Sequence, residues 1–131
     1  MTVHVVRLGS ERLPREGLRI GTVRRPPRGV PKADFARRNF YDVWLPNLAP
    51  SEALLKEALA ASAEHDDRRW KQFVRRYRAE MKAPEQRALL DTLAALSHDA
   101  NFSVGCYCAD ESRCHRSVLR QLLAEHGAKI D

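Results

Sequence analysis

No apolar run in this chain approaches the ~18 residues that a membrane span requires, because charged residues interrupt every hydrophobic stretch well before that length. Arg7 breaks the opening hydrophobic segment, so no charged-then-apolar leader is expected and the protein reads as soluble and cytoplasmic. Cysteine is scarce and odd in number: Cys106, Cys108 and Cys114 fall within nine residues. That excludes an exported disulfide framework and points to a local site or to burial. A Cys108–Cys114 bridge is expected only if the source is a hyperthermophile. Internal repeats and low-complexity stretches are lacking. What remains is ordinary: 131 residues, 44% of them hydrophobic and 31% charged, enough for a single domain, 1–131, with a core of its own.

The charge is unevenly placed. The net charge is +6, and 18 of the 23 cations are arginine. Residues 1–38 hold ten cations and three acids, while the rest of the chain is close to neutral, with 13 cations and 14 acids. A basic N-terminal third attracts polyanions or phosphorylated small molecules through its field, and arginine grips phosphate with a planar fork. The plain alternative is a solvated basic surface.

Hydrophobic patterning predicts the elements. Thr2–Leu8 and Gly17–Arg25 read as strands, the second with Leu18, Ile20 and Thr22 on one face. Arg25–Lys32, with three prolines and a glycine, is a basic loop. Phe40–Leu45 is a short strand, bracketed by Pro46 and Pro50. Three helices are expected over about 51–97: one capped by Ser51, one capped by Asp66 or Asp67 with Trp70, Phe73, Val74, Tyr77 and Met81 in an apolar stripe, and one beginning at Pro84. Within 101–127, a buried strand ends near Cys108 and a loop, Ala109–Arg113, leads into a last helix that Gly127 terminates. Ala128–Asp131 is a candidate final strand. The order implies an α/β class, a compact Rossmann-like domain with a small open sheet flanked by helices.

In open α/β sheets ligands gather beyond the carboxyl ends of strands, where helix N-termini present free N–H groups. The block Cys106–Ser117 occupies that position and supports four readings. The first is a phosphate-bearing small molecule or nucleic acid held by Arg113, Arg116 and Ser117, with His115 orienting it or exchanging a proton. The second is a reactive thiolate, Cys108 or Cys114; as a nucleophile Cys108 is the better placed, at the end of its strand. No arginine follows Cys108 at the sixth position, so the loop lacks the tyrosine-phosphatase spacing. The third is zinc, for which Cys106, Cys108, Cys114 and His115 count to four ligands, although C-x-C with an adjacent Cys-His is not a usual paired spacing. The fourth is burial alone, with the polar residues serving as a helix cap.

Arg24–Lys32 (RRPPRGVPK), Tyr41–Ser51 (YDVWLPNLAPS), Trp70–Met81 (WKQFVRRYRAEM) and Cys106–Leu119 (CYCADESRCHRSVL) together resemble the YeaO-like family, domain of unknown function 488. The resemblance covers nearly the whole chain and implies a compact α/β, Rossmann-like domain of prokaryotic origin. It implies no activity or cofactor, and nucleotide or nucleic-acid association is the expectation for the group. It marks Cys108, Cys114, His115 and Arg116, with the Arg24–Arg28 loop, as positions matching the family pattern. The chain carries a fuller Cys-His-Arg block than the shorter YeaO-type members.

The loop arginines Arg24, Arg25 and Arg28 would complete an anion pocket if their loop folds over the C-terminal block. A non-enzymatic alternative has the basic N-terminal region binding nucleic acid as an accessory domain. Asp42 is expected to pair with Arg24 or Arg116. Trp70, Phe73 and Tyr77 are expected in the core rather than stacked on bases. His65, His98 and His126 are expected at the surface or at helix ends, and His4 stands isolated on a strand; none of them is given a role.

Overall fold

The computed structural model describes residues 1–131, the side chain at position 62 excepted. Four strands form one all-parallel sheet: β1 (Val3–Arg7), β2 (Leu18–Gly21), β3 (Val43–Trp44) and β4 (Phe102–Cys106), in the spatial order β1-β4-β2-β3. Four helices accompany it: α1 (Glu52–Ala63), α2 (Asp67–Glu80), α3 (Pro84–Leu96) and α4 (His115–Glu125). No helix among the described residues is long and apolar enough to cross a membrane.

β4 is buried at all five positions, as a strand between two parallel neighbours must be. Its partner β2 is shorter than the alternation predicts. Leu18 starts the strand at 49% exposure, so the expected Leu18–Ile20–Thr22 face begins only at Ile20. β3 is two residues rather than six; it forms one edge, where Val43 and Trp44 remain exposed. The predicted final strand reduces to a single bridge of Ile130 to Val3, which covers the opposite edge. β4 itself stops at Cys106, two residues short of the expected end, because the chain turns away there and leaves Cys108 half-exposed.

The helices follow their sequence signals closely. Asp66 caps α2 by accepting from the Arg69 N–H, and Pro84 opens α3. The α2 stripe buries Phe73, Tyr77 and Met81 completely and Trp70 in part, with Trp70–Phe73 and Phe73–Tyr77 rings stacked at 4.9 and 5.9 Å. The three rings therefore belong to the core. Tyr77 is the fully buried ring with a polar end, and its hydroxyl donates to the Leu48 carbonyl at 2.6 Å. Gly127 takes φ +93° just past α4.

A buried ion pair ties the N-terminal third together. Arg19 is fully buried and donates to both Glu16 carboxylate oxygens (2.6 and 3.0 Å) and to the Ser10 and Asn39 carbonyls. Glu16 also accepts from the Leu13 N–H and the Ser103 hydroxyl. Asp42 pairs with Arg12 and accepts from the Arg19 N–H, so neither Arg24 nor Arg116 is its partner. Part of the basic excess is thus consumed inside the fold.

Candidate functional site

All four strands run the same way, so their carboxyl ends lie on one side of the molecule. After β2 the chain turns toward β3, whereas after β4 it passes through α4 and finishes beside β1, where Ile130 meets Val3. The two central strands therefore send their connections apart, and a crevice opens beyond their ends, as expected at a topological switch point. Two adjoining cavities of about 270 and 330 Å³ occupy it. They share Pro50, Leu55, Leu59, Cys106, Cys108 and His115 as lining. The first adds Asp110, Arg113 and Cys114; the second adds Arg24, Arg25, Arg28 and Tyr107. The proline-stiffened basic loop and the start of α4, 80 to 90 residues apart in sequence, face one cleft.

Its floor is sulfur and imidazole. The Cys106 and Cys108 sulfurs are 3.8 Å apart, and the Cys114 sulfur is 3.9 Å from His115 Nδ1. Ligand atoms of Cys106, Cys114 and His115 all lie within 4.8 Å of one another. All three cysteines are free thiols, with Cys106 and Cys114 buried and Cys108 half-exposed. A Cys108–Cys114 disulfide is therefore not part of the structure. His115 Nε2 sits 2.7 Å from the Thr22 carbonyl, which can only accept; the ring consequently donates from Nε2 and leaves its Nδ1 lone pair toward Cys114. Tyr77 meets the same ring edge-on at 5.7 Å, so α2 props His115 from behind.

The thiols share charge unequally. Hydrogen bonds from Cys106 and then Cys114 push the Cys108 thiol well down, with His115 and Arg116 adding smaller contributions. The Cys108 contact pushes Cys106 up to about 11, and contacts with Cys106 and Cys108 raise Cys114. Burial, partly offset by the Thr22 carbonyl, lowers the His115 pKa, so the imidazole is neutral at pH 7. The thiol pushed down is the half-exposed one, and the two pushed up are buried.

The arginines divide into ties and free cations. Arg116 is 4% exposed; its Nη2 donates to the Cys108 carbonyl at 2.8 Å, while its buried Nε has no partner among the described residues. Arg113 pairs with Asp67 and lies 5.9 Å over the Trp70 ring, and the Ser117 hydroxyl donates to the Cys114 carbonyl. Arg24 donates to the Pro50 and Ala49 carbonyls, and Arg25 pairs with Glu52. Arg28 is exposed at the mouth of the second cavity. Sequence reasoning missed Thr22, Tyr77, Leu55 and Leu59. Thr22 acts through its backbone carbonyl, which leaves no trace in residue type. Tyr77 carried a usable signal, a hydroxyl in an apolar stripe that had to find an acceptor.

A family model described as the active DUF488-N3 subclade matches residues 3–127. Comparison with curated proteins and with solved structures yields no match. The family match spans both edges of the sheet and the whole Cys106–Ser117 block, in agreement with the resemblance carried by those residues. The chain therefore belongs to the DUF488 family, in its active DUF488-N3 subclade.

Proposed function

We propose that the cleft beyond β2 and β4 binds a phosphate-bearing ligand, a nucleotide or a nucleic-acid segment. The observation that carries this reading is the lining of the adjoining cavities: the Arg24–Arg28 loop in one and Arg113–His115 in the other meet over Cys106, Cys108 and His115, which line both. The start of α4 contributes free N–H groups and the positive end of its dipole, and Arg28 contributes an exposed guanidinium. Arg24, Arg25, Arg113 and Arg116 add positive field while their hydrogen bonds hold the walls in place. Leu55 and Leu59 form an apolar wall on α1, suited to the ring of a base. Cys108 is the sulfur that such a ligand touches.

Thermal shift against inorganic phosphate, mono- and triphosphate nucleotides, and short DNA and RNA tests the reading. A ligand at ~100 times its Kd stabilises by about 2.7 kcal/mol, readily seen in a domain of this size. The expected result is a shift with a phosphate-bearing member of the set that Arg28→Glu reduces at unchanged intrinsic stability. A response to polymers alone, with a steep salt dependence, would favour the accessory nucleic-acid reading. No shift with any member would contradict both.

A further inference from the structure

We infer that Cys106, Cys108, Cys114 and His115 form a binding site for a zinc-class divalent cation on the floor of the cleft. Cys106, Cys114 and His115 carry it, with ligand atoms within 4.8 Å of one another, and Cys108 joins them through Cys106; the phosphate-ligand reading is not needed for it. Four sulfur and nitrogen ligands around zinc make a tetrahedron whose sulfur–sulfur edge is about 3.8 Å and whose sulfur–nitrogen edge is about 3.6 Å. The Cys114 sulfur is 3.9 Å from His115 Nδ1, near a bonded edge, and Cys108, outside the Cys106–Cys114–His115 group, is placed by its sulfur 3.8 Å from that of Cys106, from which it would swing in as the fourth ligand. The remaining separations within Cys106, Cys114 and His115 reach at most 4.8 Å, and rotation of a thiol about its side-chain bond closes a gap of about 1 Å.

The surroundings fit a metal centre on two further counts. Zinc-bound histidines donate their second ring nitrogen to a carbonyl or carboxylate, which fixes the tautomer and aims the free lone pair. His115 does this, donating Nε2–H to the Thr22 carbonyl and presenting Nδ1 to the sulfurs. Three thiolates, one neutral imidazole and a divalent cation carry a net charge of −1, which a buried site must offset. Arg116 supplies the offset: it is buried against this loop, bonded to the Cys108 carbonyl, and its Nε has no other partner among the described residues. Cys106 ends β4, Cys114 and His115 open α4, and the half-exposed Cys108 lies in the loop two residues past the strand, on the approach from solvent.

Binding exchanges protons for metal. Each coordinating thiol gives up its S–H proton to solvent as the sulfur–metal bond forms, and no electron is transferred. The unusual spacing follows from the fold, because a strand–loop–helix brings C-x-C and Cys-His face to face without the hairpin of a paired-ligand finger.

The test uses the full chain. After reduction and chelation, zinc is titrated in competition with a chromophoric chelator, and cobalt(II) is added separately as a spectroscopic probe. The expected result is one zinc per chain, with cobalt giving the strong visible bands and thiolate charge transfer of a tetrahedral sulfur-rich site. Cys108→Ser, at a half-exposed position that leaves the fold intact by circular dichroism, is expected to weaken zinc binding at least tenfold and to shift the cobalt bands. Absence of stoichiometric zinc, or only the weak bands of octahedral cobalt, would overturn the site. An unchanged cobalt spectrum in Cys108→Ser would overturn the four-ligand assignment. Phosphate-ligand binding is read separately through Arg28→Glu, so failure of either reading leaves the other standing.

Discussion

Arg19 and Glu16 carry the largest single-residue consequence outside the cleft. Both are buried, and each is the other's principal compensation, so removing one leaves an unpaired charge inside the protein. Arg19→Ala is expected to destabilise by about 3–5 kcal/mol, measured by urea unfolding. Burial alone would raise the Glu16 pKa above its ordinary 4.5, but hydrogen bonds from Arg19, the Leu13 N–H and Ser103 outweigh it and hold the carboxyl lower. The folded chain therefore binds fewer protons than the unfolded one just below that value, and stability present above pH 4.5 is lost as pH falls toward the folded pKa. Glu16→Gln should flatten that acid limb of a stability–pH profile; an unchanged limb would show that other carboxylates set it. Tyr77→Phe strands the Leu48 carbonyl and is expected to cost about 1–3 kcal/mol in the same assay.

Elements that bury one clear stripe were readable from sequence, and elements defined by their neighbours were not. The α2 stripe and its Asp66 cap are local properties, which any 14-residue window displays. β3 shows the opposite. Phe40–Leu45 is apolar, yet only two of its residues pair with β2, because Tyr41 leaves the strand line to pack its ring over Gly21. A Cβ at Gly21 would lie 2.3 Å from that ring, so Gly21→Ala overpacks the β2 end and is expected to destabilise by about 1–3 kcal/mol. A thermal melt unchanged from wild type would contradict this packing. The carboxyl-end position of the Cys106–Ser117 block was legible as well, since strand, polar loop and apolar helix follow one another there. Its convergence with Arg24–Arg28 was not, because loop closure over 80 residues is decided by strand order. That order, β1-β4-β2-β3, places β4 beside β2 and so sets the two loops side by side.

At the scale of the whole molecule, the charge asymmetry acquires a more specific meaning than a basic surface. The N-terminal third holds the positive excess, yet Arg12, Arg19, Arg25 and Arg37 are paired with Asp42, Glu16, Glu52 and Asp34. Arg24 is tied to backbone carbonyls. The exposed cations that remain at the cleft mouth are few, so a localised ligand with a modest salt dependence is expected rather than a broad polyanion footprint. Amide chemical-shift mapping on isotope-labelled protein, with the phosphate-bearing ligand that gives the largest thermal shift, tests this most directly. The expected perturbations are confined to Val23–Arg28, to Pro50–Leu59 and to Cys106–Ser117, the segments at the cleft. Perturbations spread over the basic surface of residues 1–38, with the Cys106–Ser117 block silent, would contradict it.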